Sequence, residues 1–212
     1  DSTAIPVTET QLSELGVDVE IVSSTKYLSG GATSIGGVVI DYGRVEGFSH
    51  RLRSELLLNI GAYMTPHVAY MQTIDIETLH VRYKLQASNA LELAQRLRTV
   101  PGVVAVNYVS LPDNPYHSLS RQQFGPTAGA MLTFDLADEA ACMRCIYRLK
   151  FVRRATNLFD NKTLAIHPYS TIFGNFSIEQ RRAMDIHDTT IRISVGLEDV
   201  DDIFEDLKQA IQ

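Results

Sequence analysis

One short stretch, residues 22–37 (VSSTKYLSGGATSIGG), constrains the fold of this 212-residue chain more than any other. It places Lys26 directly after three hydroxyl side chains and shortly before two glycine pairs. The residues on either side are apolar and mostly β-branched, which predicts buried strands over 19–22 and 37–40. The chain must therefore hold a lysine at the mouth of a strand, beside flexible backbone, and this favours an α/β arrangement.

The residue types in this stretch suit one kind of chemistry. A lysine amine condenses with an aldehyde to give a Schiff base, and hydroxyls with nearby N–H groups hold a phosphate. Apolar strands on both sides would desolvate Lys26 and lower its pKa. Bound pyridoxal 5′-phosphate (PLP) and an ordinary surface lysine both remain open from the pattern alone. The glycine spacing matches neither a Walker nor a dinucleotide motif, so nucleotide binding is not favoured.

Composition excludes several other classes. The chain is 45% hydrophobic and 21% charged, as ordinary globular proteins are. A net charge of −6 without a basic stripe argues against a nucleic-acid partner. No apolar run is long enough for a membrane span. The two cysteines lie on one segment, which predicts no disulfide framework and favours a reducing, cytoplasmic compartment.

The order of predicted elements divides the chain near residue 76. Residues 1–42 contain one short helix near 9–15 and the two strands, too little to close a doubly wound sheet. We therefore expect 1–76 to be the remnant of a larger domain, with any native leader upstream. Residues 77–212 are expected to form a small α/β sandwich with a mixed or antiparallel sheet.

Hydrophobic periodicity and breaker residues give the remaining elements. Predicted helices cover 52–58, 62–72 (interrupted at Pro66), 76–97, 138–149, a segment capped by Ser177, and 199–211. Predicted strands cover 103–109, 130–136, 163–166 and 189–195, and 110–127 is predicted to be an irregular loop.

Several motifs resemble the Cys/Met-metabolism PLP enzymes, the transsulfuration family. They are SSTKYLSGG at 23–31 with IGG at 35–37, NIGAYMTP at 59–66, ETLHVR at 77–82, AIHP at 165–168 and IRISVGLED at 191–199. The resemblance spans the whole chain in order. It implies the C-terminal part of a PLP-dependent transferase type I (aspartate-aminotransferase-like) fold, with 1–76 from the PLP-binding large domain and 77–212 as the small domain.

The resemblance also implies roles for the first part of the chain. Lys26 matches the lysine that holds the cofactor as a Schiff base and later moves protons on the substrate. Ser23 and Thr25 match the hydroxyls that hold the cofactor phosphate. Asp1, which lies 25 residues before Lys26, matches the aspartate that pairs with the pyridine nitrogen. A carboxylate there keeps the ring able to accept electrons.

Two residues of the second part match the substrate-binding positions of the family. Arg192 matches the arginine that grips the substrate α-carboxylate with a bidentate fork, although a salt-bridged edge arginine is the ordinary alternative. Asn157 is similar to the backbone contact for the same carboxylate. The family usually has glycine where this chain has Phe159, and it frequently has glycine where this chain has Asp75.

Other candidate residues are interpreted as structural. Cys142 and Cys145 form a CxxC pair inside a helix, where neither a redox motif nor a zinc site is expected. His167 is interpreted as shaping a turn rather than binding substrate. The acidic run 198–206 is interpreted as the solvated face and N-terminal charge of the last helix. No metal site is predicted.

The loop sequence Gly31-Ala32-Thr33 resembles the O-acetylhomoserine sulfhydrylase branch of the family. The implied reaction is γ-replacement on an O-acylated homoserine by sulfide or a thiol. A methionine or cystathionine γ-lyase is the nearest alternative, and a homodimer or homotetramer is the expected assembly. A second alternative is that the 212 residues by themselves are an inactive structural or dimerisation module.

Overall fold

The computed structural model describes all 212 residues, which form two compact units, Asp1–Val81 and Arg82–Gln212. The boundary lies a few residues after the predicted position near 76. The assignment of the two units to a PLP-binding remnant and a small domain remains a prediction. None of the helices is both long and apolar enough to cross a membrane.

The first unit contains the two predicted strands as one antiparallel pair. Strand β1 (Val19–Ser23) pairs with β2 (Gly37–Asp41), so Ser23 lies opposite Gly37. The pairing closes residues 24–36 into a single loop that carries Lys26. The predicted helix near 9–15 is only a 3-10 turn, Leu12–Leu15, which ends at Gly16 in a left-handed conformation.

The helices of the first unit begin and end differently from the prediction. The first of them is continuous and comprises α1 (Phe48–Arg51), a π-helical segment (Leu52–Leu57) and α2 (Leu58–Ile60). Helix α3 (Pro66–Glu77) begins at Pro66, with the Thr65 hydroxyl accepting a hydrogen bond from the Val68 N–H. The prediction that Pro66 interrupts a helix over 62–72 is wrong. Proline at the first helical position has no N–H to leave unsatisfied, so it starts the helix.

The second unit is built on a five-stranded mixed sheet. Its strands are β3 (Ala105–Asn107), β4 (Met131–Asp135), β5 (Arg153–Arg154), β6 (Leu164–Ile166) and β7 (Thr190–Ser194). Their order is β3-β4-β7-β6-β5, with every pair antiparallel except β5 and β6. The alternating residues Leu132, Phe134, Ile191 and Ile193 are buried and form the core of the sheet.

The second unit contains five α-helices, of which only one was not predicted. They are α4 (Leu79–Leu97, which begins in the first unit), α5 (His117–Phe124), α6 (Glu139–Arg148), α7 (Ile178–Ala183) and α8 (Val200–Ile211). Helix α5 lies in the region predicted to be irregular, and the two-residue β5 was not predicted. Both lack a hydrophobic periodicity long enough to identify them.

The acidic run at α8 is only partly a solvated face. Asp206 is buried and accepts hydrogen bonds from the backbone N–H groups of Lys150, Phe151 and Val152, at 2.8 to 3.2 Å. Glu198 accepts from the N–H and the hydroxyl of Thr163, at 2.7 and 2.9 Å. For these two residues the sequence interpretation is wrong. Each carboxylate accepts hydrogen bonds from donors that are distant in sequence, at residues 150–152 for Asp206 and at Thr163 for Glu198.

Candidate functional site

Lys26 lies on a tight turn directly after β1. Its N–H donates to the Ser23 carbonyl at 3.2 Å, and its carbonyl accepts from the Ser29 N–H at 3.1 Å. The Ser29 hydroxyl donates to the Thr25 carbonyl at 2.8 Å. Tyr27 and Leu28 are buried below the turn, while Lys26 itself is half-buried. The local backbone therefore fixes Lys26 while its side chain keeps access to solvent.

The Thr25 hydroxyl closes the base of the lysine loop. Its oxygen accepts from the Gly36 N–H at 3.1 Å, and its proton is directed to the Gly36 carbonyl at 3.3 Å. The neighbouring Ser24 N–H also donates to the Gly36 carbonyl, at 3.0 Å. Ser24 is buried, and its hydroxyl has no hydrogen-bond partner. Thr25 thus has a structural task in the loop besides any task toward a ligand.

Asp1 is exposed and lies in a segment that runs beside β1. The Thr3 N–H donates to Asp1 Oδ1 at 2.8 Å, and the Thr3 hydroxyl accepts from the Ser23 N–H at 2.9 Å. Ser2 donates its N–H to the Ile21 carbonyl at 3.0 Å. The structure therefore attaches the Asp1 segment to the strand that ends at the lysine turn.

The position where the family frequently has glycine, Asp75, contacts the lysine loop. Its Oδ2 accepts a hydrogen bond from the Thr33 hydroxyl at 2.7 Å. A Cβ placed on Gly30 would lie only 2.4 Å from Asp75 Oδ1. Asp75 lies within helix α3 rather than in a turn, and it packs against the glycine pair of the loop.

Arg192 of the second unit combines two hydrogen bonds to backbone carbonyls with one buried N–H that has no acceptor. It lies on β7 between the buried Ile191 and Ile193. Its Nη2 donates to the Thr156 carbonyl at 2.9 Å and to the Asn157 carbonyl at 3.5 Å. Its Nε is buried without a hydrogen-bond partner, and burial lowers the pKa of the guanidinium. A buried N–H of a cation without an acceptor is costly, and an anion would satisfy it.

The loop beside Arg192 is held by the residue that replaces the family's glycine. Phe159 has φ +58°, in the left-handed region that favours glycine. Its side chain is buried, and its N–H donates to the Ser194 hydroxyl at 2.6 Å. Phe159 therefore keeps a left-handed backbone conformation that glycine adopts freely but that is strained for a residue with a side chain.

The predicted site residues thus fall into two groups, each inside one unit. Asp1, Ser23, Thr25 and Lys26 lie at one end of β1 and on the turn that follows it. Asn157 and Arg192 contact each other in the second unit. The roles assigned to all six residues remain predictions.

The two cysteines and the histidine that were interpreted as structural are all buried in the second unit. The Cys142 thiol donates to the Thr189 carbonyl at 3.0 Å, and burial raises the pKa of Cys142 to about 11 and that of Cys145 to about 12. His167 is buried, with its ring nitrogens 2.8 Å from the Ser170 hydroxyl and 2.8 Å from the Asp188 carbonyl. These contacts agree with the structural interpretation of the three side chains.

Sequence reasoning missed a buried carboxylate close to the first group. Glu20 lies on β1 and is 1% exposed, with hydrogen bonds from the hydroxyls of Ser2 and Tyr42. The only sequence signal was a glutamate inside an apolar strand, between Val19 and Ile21.

The sequence model of the Cys/Met metabolism PLP-dependent enzymes matches residues 1–212. The chain belongs to this family, whose members depend on PLP and act in sulfur amino-acid metabolism.

Curated relatives of two activities match the chain. It is 37% identical over 203 residues to an O-succinylhomoserine sulfhydrylase of Pseudomonas aeruginosa, covering 93% of this chain and 48% of the relative. It is 35% identical over 201 residues to an L-methionine γ-lyase of Pseudomonas putida, covering 94% of this chain and 50% of the relative. The chain therefore spans about half the length of the curated relatives it matches.

Solved structures agree on the fold. An O-acetylhomoserine (thiol)-lyase of Campylobacter jejuni, which carries a pyridoxyl-lysine, superposes with a TM-score of 0.94 at 32% identity, covering 100% of this chain and 57% of that protein. The O-acetylhomoserine sulfhydrylase of Wolinella succinogenes gives 0.85 at 37% identity, covering 99% and 62%. The predicted fold class, the α/β fold of part of a PLP-dependent transferase, is confirmed.

Proposed function

We propose that this chain provides the cofactor lysine and the substrate-carboxylate arginine of an enzyme for γ-replacement on an O-acylated homoserine. In that reaction the γ-acyloxy group leaves as a carboxylate, and sulfide or a thiol takes its place at the γ-carbon. The observation that carries the proposal is Arg192, whose desolvated guanidinium keeps a buried Nε without an acceptor. A substrate carboxylate would supply the missing acceptor.

The residues of the first unit suit PLP. Lys26 would anchor the cofactor, the hydroxyls of Ser23 and Thr25 would hold its phosphate, and the carboxylate of Asp1 would hold a proton on the pyridine nitrogen. PLP supplies an electron-accepting ring that stabilises negative charge on the substrate. The buried Ser24 hydroxyl, which lacks a partner, indicates that this loop has unused hydrogen-bonding capacity.

Each residue has a task in the chemistry that its side chain can perform. The Lys26 amine, once free, takes the proton from the substrate α-carbon and returns it later. Arg192 and the backbone at Asn157 hold the α-carboxylate, which fixes the orientation of the α-carbon. The hydrogen bond from the Gly36 N–H to the Thr25 hydroxyl oxygen keeps the Lys26 turn in place during these transfers, and it leaves the hydroxyl proton available to the phosphate.

A γ-lyase is the second candidate, because methionine γ-lyases are among the relatives. In both reactions the γ-substituent leaves. In γ-replacement sulfide or a thiol then adds at the γ-carbon, whereas in the lyase reaction nothing adds there and water releases the amino nitrogen as ammonia, leaving a keto acid. The added nucleophile is not a residue of this chain. Supplying O-acetylhomoserine with and without sulfide distinguishes them. Sulfide-dependent homocysteine supports γ-replacement, whereas release of a keto acid and ammonia would support the lyase.

Lys26 provides the first test of the proposal. With PLP, the full-length parent protein is expected to show the visible absorbance of lysine-bound cofactor, and Lys26→Ala is expected to abolish it. Lys84→Ala, an exposed lysine of α4, is the matched control and should leave the band unchanged. A band of equal intensity in Lys26→Ala would refute the anchoring role. Turnover by the 212 residues alone would refute the alternative that they form an inactive module.

We also propose a homo-oligomeric, cytoplasmic enzyme. Support for self-association comes from large apolar side chains that the first unit exposes between residues 56 and 76. They include Leu58 at 70% and Ile60 at 68% exposure. Such a surface is typical of a face that another copy of the chain covers.

A further inference from the structure

The buried carboxylate on β1 has no place in the function proposed above. Glu20 is 1% exposed, whereas the apolar Ile21 beside it is 55% exposed. This inverts the usual pattern, in which the inner face of a strand is apolar. Burial of a carboxylate is costly unless hydrogen bonds compensate it, so the placement of Glu20 requires an explanation.

Both oxygens of Glu20 have donors of their own. The Ser2 hydroxyl donates to Oε1, and the Tyr42 hydroxyl donates to Oε2 at 2.5 Å. The pKa of Tyr42 is raised, chiefly because its phenol donates to Glu20. We call these three residues the Glu20 cluster. Its hydrogen bonds satisfy the carboxylate without a salt bridge.

The Glu20 cluster connects three segments of the first unit. Glu20 lies in the middle of β1, and Tyr42 directly follows β2, where its N–H donates to the Asp18 carbonyl at 3.1 Å. Ser2 belongs to the segment that begins with Asp1. The side chain of Glu20 is therefore the point at which the paired strands hold the Asp1 segment.

Asp1 has few constraints of its own. It is exposed, and its Oδ1 accepts a hydrogen bond from the Thr3 N–H. The positions of its neighbours are set by β1, through Ser2 to Glu20 and Ile21, and through Thr3 to Ser23. A group that acts on a cofactor must be held within about 0.5 Å of its productive position by supporting hydrogen bonds.

We propose that Glu20 is a positioning residue for Asp1. Through Ser2 it fixes where the Asp1 carboxylate lies relative to the strand that ends at Lys26. This inference rests on the proposed function, in which Asp1 pairs with the pyridine nitrogen of PLP. Because Glu20 is 1% exposed and accepts from Ser2 and Tyr42, its proposed effect is exerted through Ser2.

The test uses the full-length parent protein with PLP and the variants Ser2→Ala and Glu20→Gln. Both are expected to raise the PLP dissociation constant about tenfold, the effect of losing one hydrogen bond to a charged group, and to shift the visible band. Glu46→Gln, an exposed glutamate of the same unit, is the control and should change neither quantity.

A double-mutant cycle separates positioning from mere stabilisation. If Ser2 acts through Asp1, the shift caused by Ser2→Ala is expected to vanish in an Asp1→Asn background. An additive effect in that background would overturn the inference. So would variants with a lower melting temperature of the apo form but with the wild-type band and dissociation constant.

The outcomes also separate this inference from the proposed function. Absence of a Lys26-dependent band in the wild type would refute both. A normal band in the wild type with unchanged Ser2→Ala would refute the positioning role alone. If Glu20→Gln does not fold, Ser2→Ala still decides, because it leaves the bond between Glu20 and Tyr42 in place.

Discussion

At the scale of single residues, Arg192 is a cation with a buried N–H that no acceptor satisfies. Its guanidinium is fixed on one side by the carbonyls of Thr156 and Asn157, while Nε remains buried and without an acceptor. A planar fork of this kind matches a carboxylate, and an ammonium group cannot reproduce it.

Replacing Arg192 by lysine keeps the positive charge but removes the planar, paired N–H donors of the guanidinium. In the full-length enzyme we expect Arg192→Lys to lower kcat/KM about a hundredfold, chiefly through weaker binding of the substrate carboxylate. Steady-state kinetics on O-acetylhomoserine measure this. Arg153→Lys, an exposed arginine of β5, is the control and should match the wild type. Equal kinetics for both variants would contradict the proposed role of Arg192.

Phe159 combines a strained backbone with a buried ring. A left-handed non-glycine residue carries about 1–2 kcal/mol of strain, whereas loss of a buried phenylalanine costs about 3–5 kcal/mol. Both Phe159→Ala and Phe159→Gly should therefore destabilise the protein. The glycine variant is expected to be more stable than the alanine variant by about 1 kcal/mol, because only alanine retains the strain.

Urea denaturation of the two variants checks this order. Phe134, which is buried on β4, offers the matched comparison, since its φ is not positive. There the alanine variant should be the more stable of the two. The same order at both positions would show that the φ of Phe159 has no energetic consequence.

At the scale of elements, helix α6 is amphipathic and places both of its cysteines on the buried face. Asp138 caps it by accepting from the Ala141 N–H at 2.7 Å, and the buried face carries Cys142, Cys145 and Ile146. The spacing i, i+3 puts both thiols on the same apolar side. Desolvation there disfavours the thiolates and raises both pKa values.

The raised thiol pKa values predict a dependence of stability on alkaline pH. The folded state holds these protons more tightly than the unfolded state, whose thiols titrate near 9.0. Their contribution is therefore fully present below pH 9 and is lost as pH rises toward 11. The free energy of unfolding of the wild type should fall more steeply in this window than that of Cys142→Ala/Cys145→Ala.

Chemical denaturation at pH 8, 9 and 10 measures that difference. A thiol reagent at pH 8 gives an independent check, because neither cysteine should react until the protein unfolds. Rapid labelling of the folded protein, or parallel slopes for wild type and variant, would contradict the burial of the two thiols.

At the scale of the whole molecule, the first unit leaves much apolar surface uncovered. Between residues 56 and 76 it exposes Leu56, Leu58, Ile60, Tyr63, Tyr70, Ile74 and Ile76. The net charge of −6 does not cover this surface. Under the proposed function, another copy of the protein covers it.

Charged substitutions on this surface test the proposed self-association. Leu58→Glu/Ile60→Glu should raise the dissociation constant of the oligomer at least about tenfold, because association would bury two carboxylates. Sedimentation velocity over a range of concentrations measures it. Tyr147→Glu, at 68% exposure in the second unit, is the control. An oligomer equally stable in all three proteins would place the interface elsewhere.

Local patterns accounted for much of the fold. The strands beside the lysine loop were predictable because β-branched runs flank a loop rich in glycine and hydroxyl residues, and the helix after Ser177 because its capping box lies within four residues. The spacing of apolar residues located α4 and α8, and the family motifs identified Lys26 and Arg192 as candidate site residues, whose roles remain predictions.

What the sequence by itself determined is the fold class, the lysine loop and the family, because each depends on residues close together in the chain. The tertiary structure decided the burial and hydrogen bonding of Glu20, whose donors lie 18 or more residues away, and of Asp206, whose backbone donors lie 54 or more residues away. It also decided that Arg192 keeps an unsatisfied Nε. Burial and hydrogen-bond satisfaction depend on which distant segments meet, and no local pattern in the sequence encodes that.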